Sequence, residues 1–252
     1  MADAPALLEA QGLVMRFGAF TALRGISATI RGGEVVGLIG TNGAGKTTFL
    51  NMVTGYLRPT EGRVLLEGRD VTGTGPREMV GRGLARSFQV PQLFPEMTAR
   101  EHLVLAEALA DQGQRSLLGP LPEGGRAEAM LARFGLAAIA DTAVSLVPQG
   151  QRKLIDIAMA LMLRPRLLLL DEPTSGVSSA EKGPLMQTVF EAIRAGGVTV
   201  LFVEHDMEIV ERYVTRILAF RDGELLADGT PEAVLRDREV ARSVLRRKEV
   251  AT

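Results

Sequence analysis

The chain has 252 residues, of which 46% are apolar and 23% charged, a composition that fits a globular protein with a substantial buried core. A net charge of −1 argues against a broad basic surface of the kind that binds nucleic acid, and the absence of cysteine excludes disulfides and thiolate chemistry. The best apolar stretch, residues 161–170, is interrupted by Arg164, Pro165 and Arg166, whereas spanning a bilayer takes about 20 apolar residues. We therefore expect no secretion signal and no membrane span, so that any membrane contact is made through a partner or a surface.

Short apolar runs, several of them rich in β-branched residues, predict strands along the chain. They lie at residues 7–17, 26–30, 35–40, 63–67, 167–171, 198–203 and 216–220. Helical patterns separate many of the runs, and this alternation predicts an α/β fold with a mainly parallel central sheet. Residues 7–30 contain no helical pattern, so we expect an antiparallel β portion near the N-terminus, and Gly68 marks a further turn or hairpin.

An Ala- and Leu-rich stretch over residues 90–162 predicts helices rather than strands. Thr98 can cap a helix that begins at Ala99, and Glu101 completes a capping-box pattern. Glycines and prolines predict a loop at residues 113–125. Further helices are predicted at residues 126–134 and 152–163.

The last of these predicted helices has a broad apolar face, and its Arg152 and Asp156 can pair one turn apart. We interpret the chain as one domain in which a helical subdomain is inserted into the α/β core with its antiparallel β portion. The predicted parts are residues 1–89 and 163–235 for the core, 90–162 for the helical subdomain and 236–252 for a C-terminal tail.

Residues 40–47 spell G-x-x-x-x-G-K-T between a short apolar run at 34–39 and a helical pattern at 48–53. A strand, a glycine-rich loop and a helix in this order predict a phosphate-binding loop, because glycines let backbone N–H groups point at phosphate oxygens and the helix N-terminus adds positive potential. Lys46 would reach the β- and γ-phosphates, and the Thr47 hydroxyl would ligate Mg²⁺. The alternative is a glycine-rich turn with a chance lysine, which the flanking strand and helix disfavour.

A second candidate element is the apolar run at residues 167–170, which ends in Asp171 and Glu172. Ligands bind at the carboxyl ends of parallel strands, and Asp171 there can hold Mg²⁺ directly or through water. Glu172 is placed to polarise an attacking water as a general base. The alternative is a buried strand that ends in a solvated acidic pair.

The two histidines receive different interpretations. His205 follows the apolar run at 198–203 and could donate a hydrogen bond to a phosphate oxygen. A satisfied histidine at a strand–helix turn is the alternative and is the commoner case. We interpret His102, within a predicted helix, as structural.

Taken in order, these parts resemble the ATP-binding cassette (ABC) ATPases over about residues 7–235. Residues 40–47 match the Walker A loop, 167–171 match Walker B, Glu172 matches the catalytic glutamate and His205 matches the switch histidine. Each motif is short and weak alone, whereas their common order and spacing are specific.

The resemblance implies ATP and Mg²⁺ as cofactors and adds further site residues. Gln89, in Arg-Ser-Phe-Gln, resembles the Q-loop glutamine, which contacts Mg²⁺ or the attacking water and relays motion to a membrane partner. Phe17 resembles the aromatic residue that stacks on adenine. The implied catalytic residues are Glu172, His205, Lys46 and Gln89, and the implied metal ligands are Thr47, Gln89 and Asp171. The implied nucleotide contacts in the loop are Thr41, Asn42, Gly43, Ala44, Gly45, Lys46, Thr47 and Thr48.

Finer features resemble the cassettes of branched-chain amino acid uptake systems and their relatives for urea or amides. These features are residues 86–89, 93–94, 97–98, 203–207 and 228–231. The resemblance implies a second ATPase subunit, identical or paralogous, two transmembrane permease subunits and, indirectly, a solute-binding protein. It implies a peripheral place on the cytoplasmic side of the inner or plasma membrane. A nucleic-acid partner is not expected, because the net charge is only −1.

The signature loop departs from the family sequence L-S-G-G-Q, because the aligned residues are Val147, Pro148, Gln149, Gly150 and Gln151. In the family the serine hydroxyl reaches the γ-phosphate of the other subunit's ATP, and Pro148 has neither a hydroxyl nor a backbone N–H. Gly150 and the following helix N-terminus can still offer N–H groups, and we hypothesise that the amide of Gln149 or Gln151 partly replaces the hydroxyl. One neutral hydrogen bond contributes about 1 kcal/mol, so we expect impaired rather than abolished ATP capture. A decayed site that depends on a different paired cassette is the alternative.

Two further features remain open. Ser178 stands where the family has the aspartate of S-A-L-D, which weakens the expected communication across a dimer. Residues 236–248 contain six basic side chains and four apolar ones, which indicates a solvated amphipathic tail or a contact with a membrane subunit or anionic lipid.

The sequence therefore predicts the ATPase subunit of an ABC importer for amino acids or related small polar solutes. An exporter or lipopolysaccharide-extraction cassette, a soluble non-transport ABC ATPase and a non-hydrolysing ATP-gated scaffold are the alternatives.

Overall fold

The computed structural model describes residues 4–112 and 124–245. The strands are β1 (Ala6–Phe17), β2 (Phe20–Arg31), β3 (Val35–Gly40), β4 (Glu61–Leu66), β5 (Arg69–Asp70), β6 (Leu84–Ser87), β7 (Leu167–Asp171), β8 (Thr199–Val203), β9 (Arg216–Arg221) and β10 (Glu224–Gly229). The helices are α1 (Lys46–Val53), α2 (Pro76–Gly81), α3 (Ala99–Gln112), α4 (Gly125–Arg133), α5 (Gln149–Met162), α6 (Ser179–Gly196), α7 (Met207–Tyr213), α8 (Pro231–Arg236) and α9 (Arg238–Val240). Short 3₁₀ segments at Ala137–Ile139 and Val144–Leu146 and a π-helical segment at Ala241–Leu245 complete the description.

The described residues form two compact units. Unit 1 lies within Met1–Met79 and Thr199–Thr252, and unit 2 lies within Val80–Val198. The described part of the predicted helical subdomain belongs to unit 2, together with β6, β7 and α6. The predicted division of the chain at residues 90 and 162 stays a prediction.

Unit 1 contains the antiparallel portion that the sequence predicts. Its strands have the order β2-β1-β4-β5, and β1 pairs with both β2 and β4. Phe17 lies opposite Phe20 where β1 turns into β2, and Leu66 lies opposite Arg69 across the turn that contains Gly68. The predicted N-terminal β portion and the hairpin at Gly68 are therefore confirmed.

Unit 1 also contains the strand that precedes the phosphate loop. β3 lies between β8 and β9 and runs parallel to both, while β10 lies antiparallel along the outer edge of β9. All five residues of β8 are buried, and so are five of the six residues of β3. Burial on both faces explains why these strands read as unbroken apolar runs, and the expected α/β fold with mainly parallel pairing is confirmed.

Unit 2 pairs β6 and β7 in parallel and adds the helices α3 to α6. The capping box at the start of α3 forms as predicted, because the Thr98 N–H donates to Glu101 Oε2 at 2.7 Å and the Glu101 N–H donates to Thr98 Oγ1 at 3.2 Å. His102 is fully buried: its Nε2 accepts from the Phe94 N–H at 2.9 Å, and its Nδ1 lies 2.8 Å from the Thr98 carbonyl oxygen. These contacts support the structural interpretation of His102.

Two strands lie where none was predicted. β6 has only four residues and includes Arg86, and β10 is a partly exposed edge strand whose apolar run is only three residues long, so both signals are short. Most of the predicted loop at 113–125 and the end of the tail, residues 246–252, lie outside the described residues. Across the two described stretches, no helix combines the length and the hydrophobicity that crossing a membrane requires.

Candidate nucleotide site

Sterics leave no room for side chains at two glycines of the phosphate loop in unit 1. Gly40 has a φ of 155°, and a Cβ there would lie 2.5 Å from the carbonyl oxygen of Phe220 on β9. Gly45 has a φ of 101°, and its Cβ would lie 2.4 Å from Leu23 Cδ2 on β2. A side chain at Gly40 would displace the backbone of β9, whereas one at Gly45 would first displace the Leu23 side chain, and both positions have a backbone conformation that glycine favours.

Lys46 is folded back over this loop. Its side chain is buried, and its Nζ donates to the carbonyl oxygens of Gly40 at 2.7 Å and Thr41 at 3.1 Å. Thr47 is exposed on the first turn of α1. Among the other predicted loop contacts, Asn42 and Gly43 are exposed, Thr41, Gly45 and Thr48 are half-buried, and Ala44 is buried.

Two further predicted residues lie in unit 1. Phe17 is the last residue of β1, and its side chain is 48% exposed beside Phe20, which is 64% exposed. His205 follows β8 and is exposed, while its backbone N–H donates to Oε2 of the buried Glu204 at 2.7 Å. Both residues are thus accessible at strand ends, as stacking and phosphate contacts would require.

In unit 2, β7 ends at Asp171 and is followed by Glu172, and each of these predicted carboxylates contacts a side chain from the segment 86–89. Asp171 Oδ2 lies 2.6 Å from Arg86 Nη2 in a buried ion pair. Glu172 has a φ of 47°, and its Oε2 accepts a hydrogen bond from Gln89 Nε2 at 2.6 Å. The structure therefore brings together three predicted residues, Asp171, Glu172 and Gln89, and adds Arg86, which the sequence offered only as part of a motif.

Lys153 on α5 is a further residue that the sequence analysis missed. Its side chain is fully buried, and its Nζ donates to the backbone carbonyl oxygens of Gln89 and Glu172, the latter at 3.1 Å. One ammonium group thereby links the backbone at Gln89 to the backbone at Glu172, which follows β7. The sequence does contain a sign of this buried role, because Lys153 lies among the apolar positions of α5, one turn before Ile157.

Asp156, also on α5, holds the same segment from another side. It is 8% exposed and accepts from Ser87 Oγ at 2.6 Å and from the Phe88 N–H at 3.2 Å, rather than pairing with Arg152 as predicted. Burial raises the pKa of Asp156 to about 6, although the bonds from Ser87 and Phe88 and the charge of Lys153 oppose the shift.

The altered signature loop is tied to the loop that follows β7. Pro148 caps the N-terminus of α5, with φ −55° and ψ 151°, which proline adopts without strain. Gln149 Nε2 donates to the Ser175 carbonyl oxygen at 3.3 Å and lies so close to Gly176 that a Cβ there would be 2.1 Å away. The Gln149 amide is thus engaged within its own chain, and the replacement of the missing serine hydroxyl by Gln149 or Gln151 stays a prediction.

Ser178, which takes the place of the family aspartate, also bonds within its own chain. It precedes the first residue of α6, and its hydroxyl donates to the Glu181 carboxylate one turn later. The bond joins two side chains, and the Ser178 hydroxyl does not cap a backbone N–H of α6. The expectation of weakened communication across a dimer stays a prediction.

Comparison with known proteins identifies the family. The model of the ABC transporter family matches residues 23–175. The high-affinity branched-chain amino acid transport ATP-binding protein of Pseudomonas aeruginosa is 35% identical over 249 residues, which cover 95% of this chain and 97% of that protein. The corresponding protein of Escherichia coli K12 is 35% identical over 248 residues, covering 95% and 97%.

Solved structures agree with the sequence relatives. An ATP-binding cassette of an ABC transporter, crystallised in its ADP conformation, superposes with a TM-score of 0.82 at 33% identity and covers 94% of this chain and 97% of its own. A Clostridium perfringens protein that is part of the ABC transporter complex cbiONQ has a TM-score of 0.79 at 28% identity, covering 97% and 96%. The chain therefore belongs to the ATP-binding cassette family of transporter ATPases.

Proposed function

We propose that this chain is the ATP-hydrolysing subunit of an importer for amino acids or related small polar solutes. The names of its relatives make branched-chain amino acids the first candidates for the solute. The observation that carries the enzymatic part is the Glu172 carboxylate at the end of β7, held by Gln89 at 2.6 Å. A fixed carboxylate next to a Q-loop glutamine suits a general base that orients water.

In this proposal the loop of unit 1 binds the triphosphate. Lys46 Nζ, which now donates to two loop carbonyls, would turn to the β- and γ-phosphates, and the N–H groups of residues 41–48 would cradle them. Phe17 would stack on the adenine ring, and His205 would donate to the γ-phosphate. Membership of the cassette family supports these assignments within unit 1.

The donor set fits Mg²⁺. The described residues include no group of three or more His, Cys, Asp or Glu side chains that could hold a metal ion. Mg²⁺ in phosphate-transferring proteins needs no such cage, because phosphate oxygens, waters and one or two carboxylates hold it. Asp171 would supply the carboxylate, and Thr47 and Gln89 would supply a hydroxyl and an amide oxygen. When bound, the ion neutralises charge that develops on the transferred phosphoryl group.

Two cassettes, identical or paralogous, would each place a signature loop, residues 148–151, against the ATP of the other. Gly150 and Gln151 would contribute backbone and amide N–H groups in place of the absent serine. The pair would drive two transmembrane permease subunits, loaded by a solute-binding protein, from the cytoplasmic side of the membrane. A nucleic-acid partner is not part of the proposal.

ATPase measurements on Glu172→Gln test the enzymatic part. Loss of a general base lowers the rate by about 10²- to 10⁴-fold. We expect that fall, with binding of Mg·ATP retained, and we expect no change for the control Glu208→Gln, at an exposed position of α7. An unchanged ATPase rate in Glu172→Gln would show that Glu172 is not the general base. A wild type without ATPase activity would favour the non-hydrolysing ATP-gated scaffold.

Copurification and uptake test the transport part. We expect the chain to copurify with two permease subunits and to support ATP-dependent uptake of a labelled branched-chain amino acid into vesicles. Outward transport in the same assay would instead identify an exporter. Failure to associate with any membrane protein would favour a soluble cassette ATPase.

A further inference from the structure

Arg86 is a buried cation beside a carboxylate to which the proposed function assigns Mg²⁺. Its Nη2 lies 2.6 Å from Asp171 Oδ2, and the two side chains are only 6% and 7% exposed. The guanidinium group also lies over the ring of Phe88, 4.8 Å from its centroid. Arg86 is therefore held at this position by an ion pair and by an aromatic contact.

The strand register creates this pair. In the parallel pairing of β6 and β7, Arg86 lies opposite Leu169. Alternate residues of a strand share one face, so Asp171 comes two residues later on the same face as Leu169. Arg86 thus reaches the last residue of the neighbouring strand diagonally, and its contact with Asp171 is a property of the sheet.

A buried carboxylate is costly unless a positive charge compensates it. Before nucleotide binds, the Arg86 guanidinium supplies that charge at Asp171. A divalent ion that binds the same carboxylate meets this guanidinium at close range, and like charges repel strongly where water is excluded. When Mg²⁺ binds Asp171, part of the ion pair between Asp171 and Arg86 is lost. The free energy of that lost interaction reduces the affinity for Mg²⁺.

We propose that Arg86 is a positioning residue that stands in for Mg²⁺ at Asp171 and thereby sets the Mg²⁺ concentration at which the cassette captures Mg·ATP. The inference rests on the proposed function, which makes Asp171 a metal ligand. Gln89 holds Glu172 through a separate contact, so Arg86 acts on the metal requirement and leaves the general base in place.

The test measures binding rather than hydrolysis. Affinity for a fluorescent, non-hydrolysable ATP analogue is titrated against free Mg²⁺ for the wild type and for Arg86→Gln, which removes the charge but keeps a donor. The half-saturating Mg²⁺ concentration is expected to fall by about tenfold, because the competing charge is gone. In excess chelator the analogue is expected to bind no more tightly to Arg86→Gln than to the wild type, because the lost charge is positive and the phosphates are negative. An unchanged or increased Mg²⁺ requirement overturns the proposal.

Two controls separate charge from fold. Arg133→Gln removes a positive charge from an exposed position of α4 in the same unit, and we expect the wild-type Mg²⁺ dependence. Arg86→Lys keeps the charge, and we expect a half-saturating concentration within about threefold of the wild type. A tenfold change in Arg86→Lys, in either direction, would contradict a role based on charge.

Thermal unfolding gives a second readout and covers the case of poor folding. Without the metal, Arg86→Gln is expected to unfold at a lower temperature than the wild type, and Mg²⁺ with the analogue is expected to raise the midpoint more in the variant. Equal stabilisation of the two proteins would count against the proposal.

If Arg86→Gln does not fold even with Mg²⁺ and the analogue, the Mg²⁺ titration of Arg86→Lys tests the proposal in its place. A wild type that binds the analogue without any Mg²⁺ dependence would instead refute the metal role in the proposed function.

Discussion

The phosphate loop of unit 1 and the carboxylate edge of unit 2 are organised by different forces. In the loop the backbone determines the shape: Gly40 leaves no space for a Cβ, and Lys46 rests on two carbonyl oxygens of the loop itself. At the edge, charged and polar side chains determine the shape: Arg86 holds Asp171 and Lys153 holds the backbone at Glu172. The loop should therefore be sensitive to added volume, and the edge should be sensitive to lost charge.

The largest expected effect is steric and concerns Gly40→Ala. The new Cβ would lie 2.5 Å from the Phe220 carbonyl oxygen, which cannot move without separating β9 from β3. We expect the free energy of unfolding, measured in urea, to fall by about 4 kcal/mol from the clash and the strained φ together.

The matched control for this steric effect is Gly43→Ala in the same loop. Gly43 also has a positive φ, 82°, but a Cβ there meets nothing within 4 Å. We expect a loss of about 1 kcal/mol from backbone strain alone. Equal losses at the two glycines would show that conformational strain rather than close approach shapes the loop.

The largest effect at the carboxylate edge is expected for Lys153→Met, which keeps an unbranched side chain but lacks the terminal ammonium group. The carbonyl oxygens of Gln89 and Glu172 lose a donor that they share. We expect a destabilisation of about 3 kcal/mol and a lower ATPase rate at unchanged affinity for ATP. Lys182→Met, at a half-buried position of α6, is the control. A Lys153→Met enzyme with full activity would show that the edge does not need this link.

A pH dependence is expected from Asp156. Its pKa rises from 3.8 to about 6 on folding because the carboxyl is buried, so the folded state binds the proton more tightly between these values. The cost of burying the ionised Asp156 carboxylate is absent below pH 3.8 and fully present above about pH 6. The free energy of unfolding therefore falls as the pH rises through this window.

Asp156→Asn, which cannot ionise, should lack this decline. Relative to the variant, we expect the wild type to lose about 2 kcal/mol of unfolding free energy between pH 4 and pH 7.5 in urea titrations. Asp222→Asn, at an exposed turn, serves as the control and should follow the wild type. A wild-type stability that rises relative to Asp156→Asn over this range would mean that the hydrogen bonds from Ser87 and Phe88 outweigh burial.

The smallest expected effect concerns the signature loop. Pro148→Ser restores the hydroxyl of the family sequence at the N-cap of α5, a position that serine favours. One added hydrogen bond contributes about 1 kcal/mol, so we expect an ATPase rate equal to the wild type or up to about fivefold higher. A large fall in rate would show that Pro148 itself is needed for ATP capture.

The sequence by itself determined the parts whose signals are local. β3, the glycine loop and α1 are consecutive, and the loop lies between a buried strand and a helix that the residue pattern indicates. β7 is predictable for the same reason, since burial on both faces requires an unbroken apolar run before Asp171 and Glu172. The capping box of Thr98 and Glu101 needs only a spacing of three residues.

Only the tertiary structure decided which side chains surround the two carboxylates. Arg86 and Asp171 are separated by 85 residues, and they meet because β6 and β7 pair in one particular register, which no pattern in either strand specifies. Lys153 and Asp156 contact the Q-loop from a helix that lies more than 60 residues further along the chain. Periodicity shows that a position is buried, whereas the partner of a buried charge depends on how distant elements pack, and a lysine or aspartate on an apolar helix face says only that such a partner must exist.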